Sequence, residues 1–433
     1  MKKINHKSLI LPTLLLTGAL GLSACGTIYS RSTAESVSTV QTMSVVSAEE
    51  DSTASVSSDA GTGDTYSEAF SNRDLSGDYE TEEAVTISLN GASAEASSDA
   101  VQIDGSTVTI TAAGTYILSG TLDDGTIIVN ATKDDKVQLV LDGADIYSSD
   151  YAAIYVLQAD KVFVTLEDGT VNTLTNGGTF TQKDENDVDA VIFAKDDITL
   201  NGTGTLQISS PAGSGIVGKD EVTITGGVYE ITAGDNAIRA KDSLAIADGS
   251  FTITASEDGL HAENSDDDTL GSIYIAGGSF VISVGDDAIH ATSTLEIDGG
   301  TFDITAAEGL EATVIRINDG DITIAAADDG INAAYKSTVS TPLFEMNGGN
   351  LSVTMAAGDT DAIDSNGNIV VNGGTITISA QFAFDCDGTA QKNGGTIIVN
   401  GQEVQTIQSQ MMGGMGGQMG GMGPGGMRGG MRR

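Results

Sequence analysis

A unit of about 22 residues recurs through the second half of the chain, and a repeat of that length constrains the fold more than any other feature. Residues 285–307, GDDAIHATSTLEIDGGTFDITAA, show its four parts: an acidic corner (Asp286, Asp287), a short run around Ile289, a second run of Leu295, Glu296 and Ile297, and a glycine turn into Phe302, Asp303 and Ile304. Related copies start at Gly234, Glu308 and Gly358. The first aliphatic of each copy serves as an anchor: Ile192, Ile216, Ile238, Leu260, Ile289, Leu310, Ile331 and Ile363, at intervals of 24, 22, 22, 29, 21, 21 and 32 residues. The intervals after Leu260 and Ile331 carry inserts.

Within each copy apolar and polar residues alternate over three to five positions before Gly, Asn or Asp breaks the run, which is the period of a half-buried strand. Three short strands per copy predict an all-β chain, a right-handed parallel β-helix in which each copy stacks on the next around a shared interior. Two inward columns are expected on the third strand. One holds Tyr229, Phe251, Phe280, Phe302, Ile322, Leu351, Ile376 and Ile397; the other holds Ile231, Ile253, Ile282, Ile304, Ile324, Val353, Ile378 and Val399.

The 433 residues include 55 glycines, as many tight corners require, and carry a formal charge of −42. That charge excludes nucleic acid and an anionic lipid surface as direct partners. Residues 1–25 read as an export signal: Lys2 and Lys3, an apolar core over 9–22, and Leu22, Ser23, Ala24 and Cys25 as a lipobox that would leave Cys25 lipidated. The protein is therefore expected on the extracellular face of the membrane, touching it only through its lipid, as a monomer. Residues 26–80, rich in Ser, Thr and acids, read as a flexible tether. Residues 81–401 form the predicted β-helix domain, with its first strands and end cap over 81–180. Residues 402–433 read as a disordered Met/Gly tail, whose thioethers would suit Cu(I) if they were held in place. Cys386 leaves no intramolecular disulfide to a lipidated Cys25 and is placed at the anchor position of the last copy, as a small buried hydrophobe.

The succession GTYILSGTLDDGTIIVNA, VQLVLDGADI, AAIYV and VFVTLEDGTVNTL, followed by DGLHA, DDAIHA, DDGINA and DAIDS, resembles a family of exported bacterial carbohydrate-binding proteins. The resemblance covers about residues 81–401. It implies a right-handed parallel β-helix related to the pectate lyases, calcium binding, and attachment to acidic polysaccharides such as polygalacturonate.

Equivalent residues of adjacent copies should lie about 4.8 Å apart in straight columns. Two before the anchor stand Asn236, Asp258, Asp287, Glu308, Asp329 and Asp361; one after it stand Arg239, His261, His290, Glu311, Asn332, Asp364 and Asp387. Asp286, Asp328 and Asp385 crowd the same corner. Stacked carboxylates raise one another's pKa, and calcium, taking six to eight oxygens at about 2.3–2.6 Å, would relieve them. The expected calcium ligands are Asp258, Asp287, Asp329, Asp361, Asp364, Asp385 and Asp387. Arg239, Lys241, His261, His290, Glu311 and Asn332 are the expected glycan contacts. Lys195, Lys219 and Lys241 form a neighbouring column that binds glycan carboxylates or balances surface charge. With no tryptophan, outward aromatics are few, namely Tyr155, Phe193, Tyr274 and Phe382, which favours a uronic-acid polymer bridged by calcium. No residue is assigned to catalysis. A polysaccharide lyase using Arg239 as base, a paired-carboxylate hydrolase, and a calcium-stiffened adhesin for protein share much of this pattern.

Overall fold

The computed structural model describes residues 68–358 and 360–408. The expected signal segment with Cys25, the tether as far as residue 67 and the tail from residue 409 lie outside the described residues.

The described chain is all-β with one single-turn helix, Asn72–Leu75. The repeat around Ile289 folds as three strands, Asp287–Ala291, Thr294–Ile297 and Thr301–Ala306. Each pairs in parallel with its equivalents one repeat before and one after. Three ladders result, here called anchor, middle and aromatic. The anchor ladder is a 13-stranded sheet; the other two join in a 25-stranded sheet. Their junction is the strand Lys136–Ser148, which pairs through its first half with Lys161–Leu166 and through its second with Val171–Asn176. The architecture is solenoid-like, with antiparallel pairs at both ends: Val101–Asp104 on Thr107–Ile110, and Gln402–Val404 on Thr396–Val399. Such pairs protect an open stack from adding further strands.

The register stacks like on like inside. Tyr229, Phe251, Phe280 and Phe302 are fully buried, with successive ring centroids 4.9, 4.7 and 4.6 Å apart and ring planes nearly parallel. The aliphatics Ile322, Leu351, Ile376 and Ile397 continue the column. A glycine precedes each ring by two residues. At Gly278 the backbone has φ +112°, and a Cβ would sit 3.0 Å from the Gly249 carbonyl oxygen and 3.1 Å from the Phe280 ring. A side chain there would be strained both in backbone and in space.

Two boundaries and one register differ from expectation. The body begins before residue 81, because residues 70–79 lie as a strap across the outer side of the middle ladder. Phe70 is buried, with its ring 5.9 Å from that of Tyr274, and the Arg73 guanidinium sits 4.9 Å over the Phe163 ring. Asp74, also buried, caps the helix turn with Ser71, receives the Thr199 hydroxyl (2.6 Å) and pairs with Lys161 Nζ (2.8 Å). The serine-rich composition conceals these anchors, since their partners are supplied by several repeats far along the chain. At the other end, ordered pairing runs past residue 401 into Gln402–Val404. Cys386 is buried but is not an anchor: Phe384 pairs with Ile363, so Cys386 falls beside Ser365 in a column of small residues. The motif AFDCDG superposes on AIDSNG once the aromatic is accepted as the anchor.

Burial by itself raises the Asp74 pKa, but Lys161, Ser71 and Thr199 overcome it and hold the carboxyl at about 2 instead of 3.8. A depressed carboxylate stabilises the fold above its unfolded pKa and loses that contribution as pH falls through the folded value. The strap should therefore lose about 2 kcal/mol between roughly pH 4 and pH 2. Asp74→Asn should speed amide exchange of residues 70–79 at neutral pH; unchanged exchange would mean that the strap is held by other contacts.

Candidate functional site

Because the anchor residues face inward, the residue after each anchor faces out, and parallel pairing lines these residues up in one row. Along the axis the row reads Tyr155, Phe193, Val217, Arg239, His261, His290, Glu311, Asn332 and Asp364. Asp385 closes it, since its backbone bonds to Ile363 and Ser365 on either side of Asp364. Asp387, expected in this row, stands two residues further on. The row thus passes from aromatic to cationic to imidazole to acidic.

The aromatic end is closed. Tyr155 and Phe193 face away from the main core, yet both are buried within a second small cluster with Tyr151 and Val188. The Tyr155 hydroxyl donates to Asp184 Oδ2 (2.6 Å) and accepts from Asn186 Nδ2 (2.7 Å), which fastens the covering segment. Neither ring is offered to a ligand, contrary to expectation. Tyr274 is half-buried, with its ring against Phe70 and its hydroxyl on Asp298. Phe382 is half-buried beside Asp361.

The next two repeats carry a cationic cavity of about 410 Å³ whose lining includes Lys219, Asn236, Arg239, Lys241, Glu257 and His261. Arg239 pairs with Asp189 and Lys241 with Asp266 (2.8 Å). Lys219 has no ion pair among the described residues; its ammonium sits 5.3 Å over the Phe193 ring. Burial first, and then Arg239, push its pKa down from the usual lysine value. This concentration of cations stands out in a chain with 19 basic and 61 acidic residues.

The imidazole section is internally paired. His261 and His290 stack with centroids 4.8 Å apart. His261 Nδ1 lies 2.6 Å from Asp258 Oδ2; His290 Nδ1 lies 2.8 Å from Asp287 Oδ2 and 2.9 Å from Glu311 Oε2. Lys336 reaches Glu311 at 2.7 Å. Burial would lower the His290 pKa, but hydrogen bonds to Asp287 and Glu311 push it up to about 10. Glu311 is held well below the usual carboxylate range: burial opposes this, and His290 and Lys336 prevail. Asp287 moves the other way, raised by burial and by the nearby Glu311 and Asp258 charges. His290 therefore holds its proton between Asp287 and Glu311. The buried Asp258 and Asp287, expected as calcium ligands, are committed to histidines, and Asp258 Oδ1 also accepts the Asp287 N–H at 2.9 Å. Among the described residues two sets bring ligand atoms within 4.8 Å of one another: Asp258, His261 and His290, and Asp287, His290 and Glu311. Both contain imidazole, which does not suit calcium.

The acidic section lacks such compensation. Glu308, Asp329 and Asp364 are each raised to about 7, by burial first and then by neighbouring carboxylates. Asn332 donates to Glu308 (2.9 Å) and Glu311 (3.1 Å), and the Asp361 N–H donates to Asp329 (3.1 Å). The Asp364 side chain makes neither a hydrogen bond nor an ion pair among the described residues, and it feels Asp329, Asp385, Asp361 and Asp387. The oxygen-only donors of this stretch suit a hard cation in number and charge. One exposed aromatic beside the row was not anticipated: Tyr335, in the insert after Ile331, is 65% exposed. The insert was visible as the longest interval between anchors, but its partners are not encoded locally.

Residues 104–359 and again 308–405 match the family described as carbohydrate-binding domain-containing protein. A protein of that description from Acetivibrio thermocellus is 36% identical over 137 residues, 31% of this chain and 48% of the relative; the match therefore spans about half of that relative's length. Among solved structures, the polysaccharide lyase-like protein from C. thermocellum, a gadolinium derivative, superposes with TM-score 0.51 and 31% identity, over 56% of this chain and 96% of its own.

Replacing His290 by alanine leaves Asp287 and Glu311 buried beside each other with one cation fewer, which should cost about 3–5 kcal/mol near neutral pH. A histidine with a raised folded pKa stabilises fully below its unfolded value near 6.5 and ceases to do so as pH rises through about 10. The gap between wild type and His290→Ala in denaturant midpoint should therefore narrow over that window. A gap that does not change with pH would show that the imidazole packs without holding charge.

Proposed function

The chain belongs to the family of carbohydrate-binding domain-containing proteins, and on that premise we propose that it is a non-catalytic binding protein for an acidic polysaccharide of the polygalacturonate type. Its scaffold in this reading is a right-handed parallel β-helix, supported by the parallel register of all three ladders and by the near-22-residue repeat. The glycan lies along the outer row of the anchor ladder. The observation that carries this reading is the order of charge along and beside that row: Lys219, Arg239 and Lys241 towards its aromatic end, and Glu308, Asp329, Asp361, Asp364 and Asp385 at the other.

Each end binds carboxylate in its own way. At the cationic cavity a uronate meets Lys219, which forms no salt bridge among the described residues, and Arg239, whose remaining N–H donors can form a planar fork. At the acidic end calcium, when bound, supplies positive charge and open coordination positions for a glycan carboxylate. Asp329, Asp361, Asp364, Asp385 and Asp387 would hold it, with Glu308 at the margin. The raised pKa values of Glu308, Asp329 and Asp364, each about 7, support this, because a bound cation would favour their charged forms. The solved neighbour is a gadolinium derivative, and gadolinium is a hard ion with the same preference for oxygen. His261, His290, Glu311 and Asn332 lie between the two ends and present hydrogen-bonding edges to sugar hydroxyls.

The neighbour's lyase-like description raises elimination as a second reading. That reaction needs a base at the proton next to the sugar carboxylate. The arginine of this row, Arg239, is held by Asp189, which supports binding over proton abstraction. Export and lipidation at Cys25 complete the proposal, supported by the basic start and lipobox sequence, so that a monomer is displayed on the outer face of the membrane.

Immobilised polygalacturonate should retain the protein in calcium and release most of it in excess EDTA. Equal retention in both would remove the metal bridge, and no retention in either would sink the acidic-glycan reading. An unsaturated, ultraviolet-absorbing product would establish elimination instead. Calcium should also raise the melting temperature by mass action, and Asp329→Asn with Asp364→Asn should abolish most of that rise. An undiminished rise would move the ion to other residues.

A further inference from the structure

Both inserts that lengthen the repeat fold against the proposed binding row, and they meet. The first contributes Asp266 to Lys241 and Asp268 to the second, where the Thr338 amide and hydroxyl both donate to Asp268 Oδ2 at 2.7 Å. The second insert is also pinned from beneath. Lys336 and Ser337 amides donate to the buried Thr313 hydroxyl oxygen at 3.1 and 2.7 Å, Ser337 is itself buried, and Lys336 Nζ reaches Glu311 in the row. At its crest the Lys336 amide donates to the Ala334 carbonyl at 2.9 Å, a three-residue turn with Tyr335 at its apex. Tyr335 makes no hydrogen bond or ring contact, and at 65% it is more exposed than any other large apolar or aromatic side chain among the described residues.

A ring left in water at the tip of a fastened turn gives up burial that a slack loop could recover by folding it down onto the row. We propose that Tyr335 is a sugar-stacking platform: the pinned insert presents its face to a pyranose ring of the glycan whose carboxylates the neighbouring row holds. The inference rests on the carbohydrate reading above and adds a contact to it that is neither ionic nor calcium-dependent. An aromatic ring offers apolar area to the C–H face of a sugar at small entropic cost, because two torsions fix it. Tyr335 would thereby select for ring geometry, whereas the charged row selects for carboxylate.

The chain contains no tryptophan, so Tyr335→Trp installs a single fluorophore at the site. Titrated with a short oligogalacturonate in calcium, its emission should shift and saturate with the binding curve. Tyr335→Ala should weaken binding about tenfold while leaving the melting temperature unchanged, and Tyr335→Phe should retain most of the affinity. Wild-type affinity in Tyr335→Ala, with unmoved emission in Tyr335→Trp at saturating ligand, would overturn the platform. The charged-row reading would still stand if Lys219→Ala and Arg239→Ala together weakened binding. If the wild-type protein itself captures no oligogalacturonate, the carbohydrate assignment of the row fails, and the platform with it.

Discussion

Lateral register is the constraint on which the rest of this structure depends. In a stack of parallel repeats each side chain has its own equivalent about 4.8 Å away on both sides, so whatever is chosen at one position is multiplied along the axis. For apolar residues this is favourable: Tyr229, Phe251, Phe280 and Phe302 gain face-to-face contact simply by repeating. For charge it is unfavourable, because every acid is placed beside another. The interior of the chain exploits the first consequence, and its outer row must manage the second.

Two different answers to that conflict lie side by side. Where the row reads His261 and His290, imidazoles enter between carboxylates, and His290 with Lys336 offsets the charge of Asp287 and Glu311 from within. From the adjoining repeat onward, Glu308, Asp329 and Asp364 form no salt bridge among the described residues and are pushed up to about 7. A buried cluster that supplies its own cations is settled; one that does not is left dependent on protons or on an ion from solution. The division falls within the row that residue spacing had already singled out, although spacing alone treated all of these acids as equivalent.

What was legible followed from that same register. Both inward columns, the anchor positions as far as Ile363 and the outer row from Arg239 to Asp364 could be read from period and parity. The rest depended on contacts between distant segments. Asp74 finds Lys161 and Thr199 only after two repeats have stacked, so composition makes its segment look like tether. Tyr155 and Phe193 have outward parity, but parity does not reveal that Asp184 and Asn186 fasten a cover over them. Phe384 was mistaken because an aliphatic was required at the anchor, although AFDCDG and AIDSNG align without a gap. Tyr335 lies in an insert, where periodicity ends and carries no information.

The inserts also show how an extended fold acquires a localised site. A regular stack offers a ligand the same surface at every step, and uniform surfaces discriminate poorly. Here the repeat is interrupted after Leu260 and after Ile331, and the two interruptions bond to one another through Asp268 and Thr338 across the intervening repeats. They also take hold of the row at Lys241 and Glu311. These contacts mark out a short stretch of an otherwise translational surface, with cations on one side and uncompensated acids on the other. A rigid ladder sets the spacing of the contacts, and under the proposed function the irregular segments would decide where along it a ligand is held.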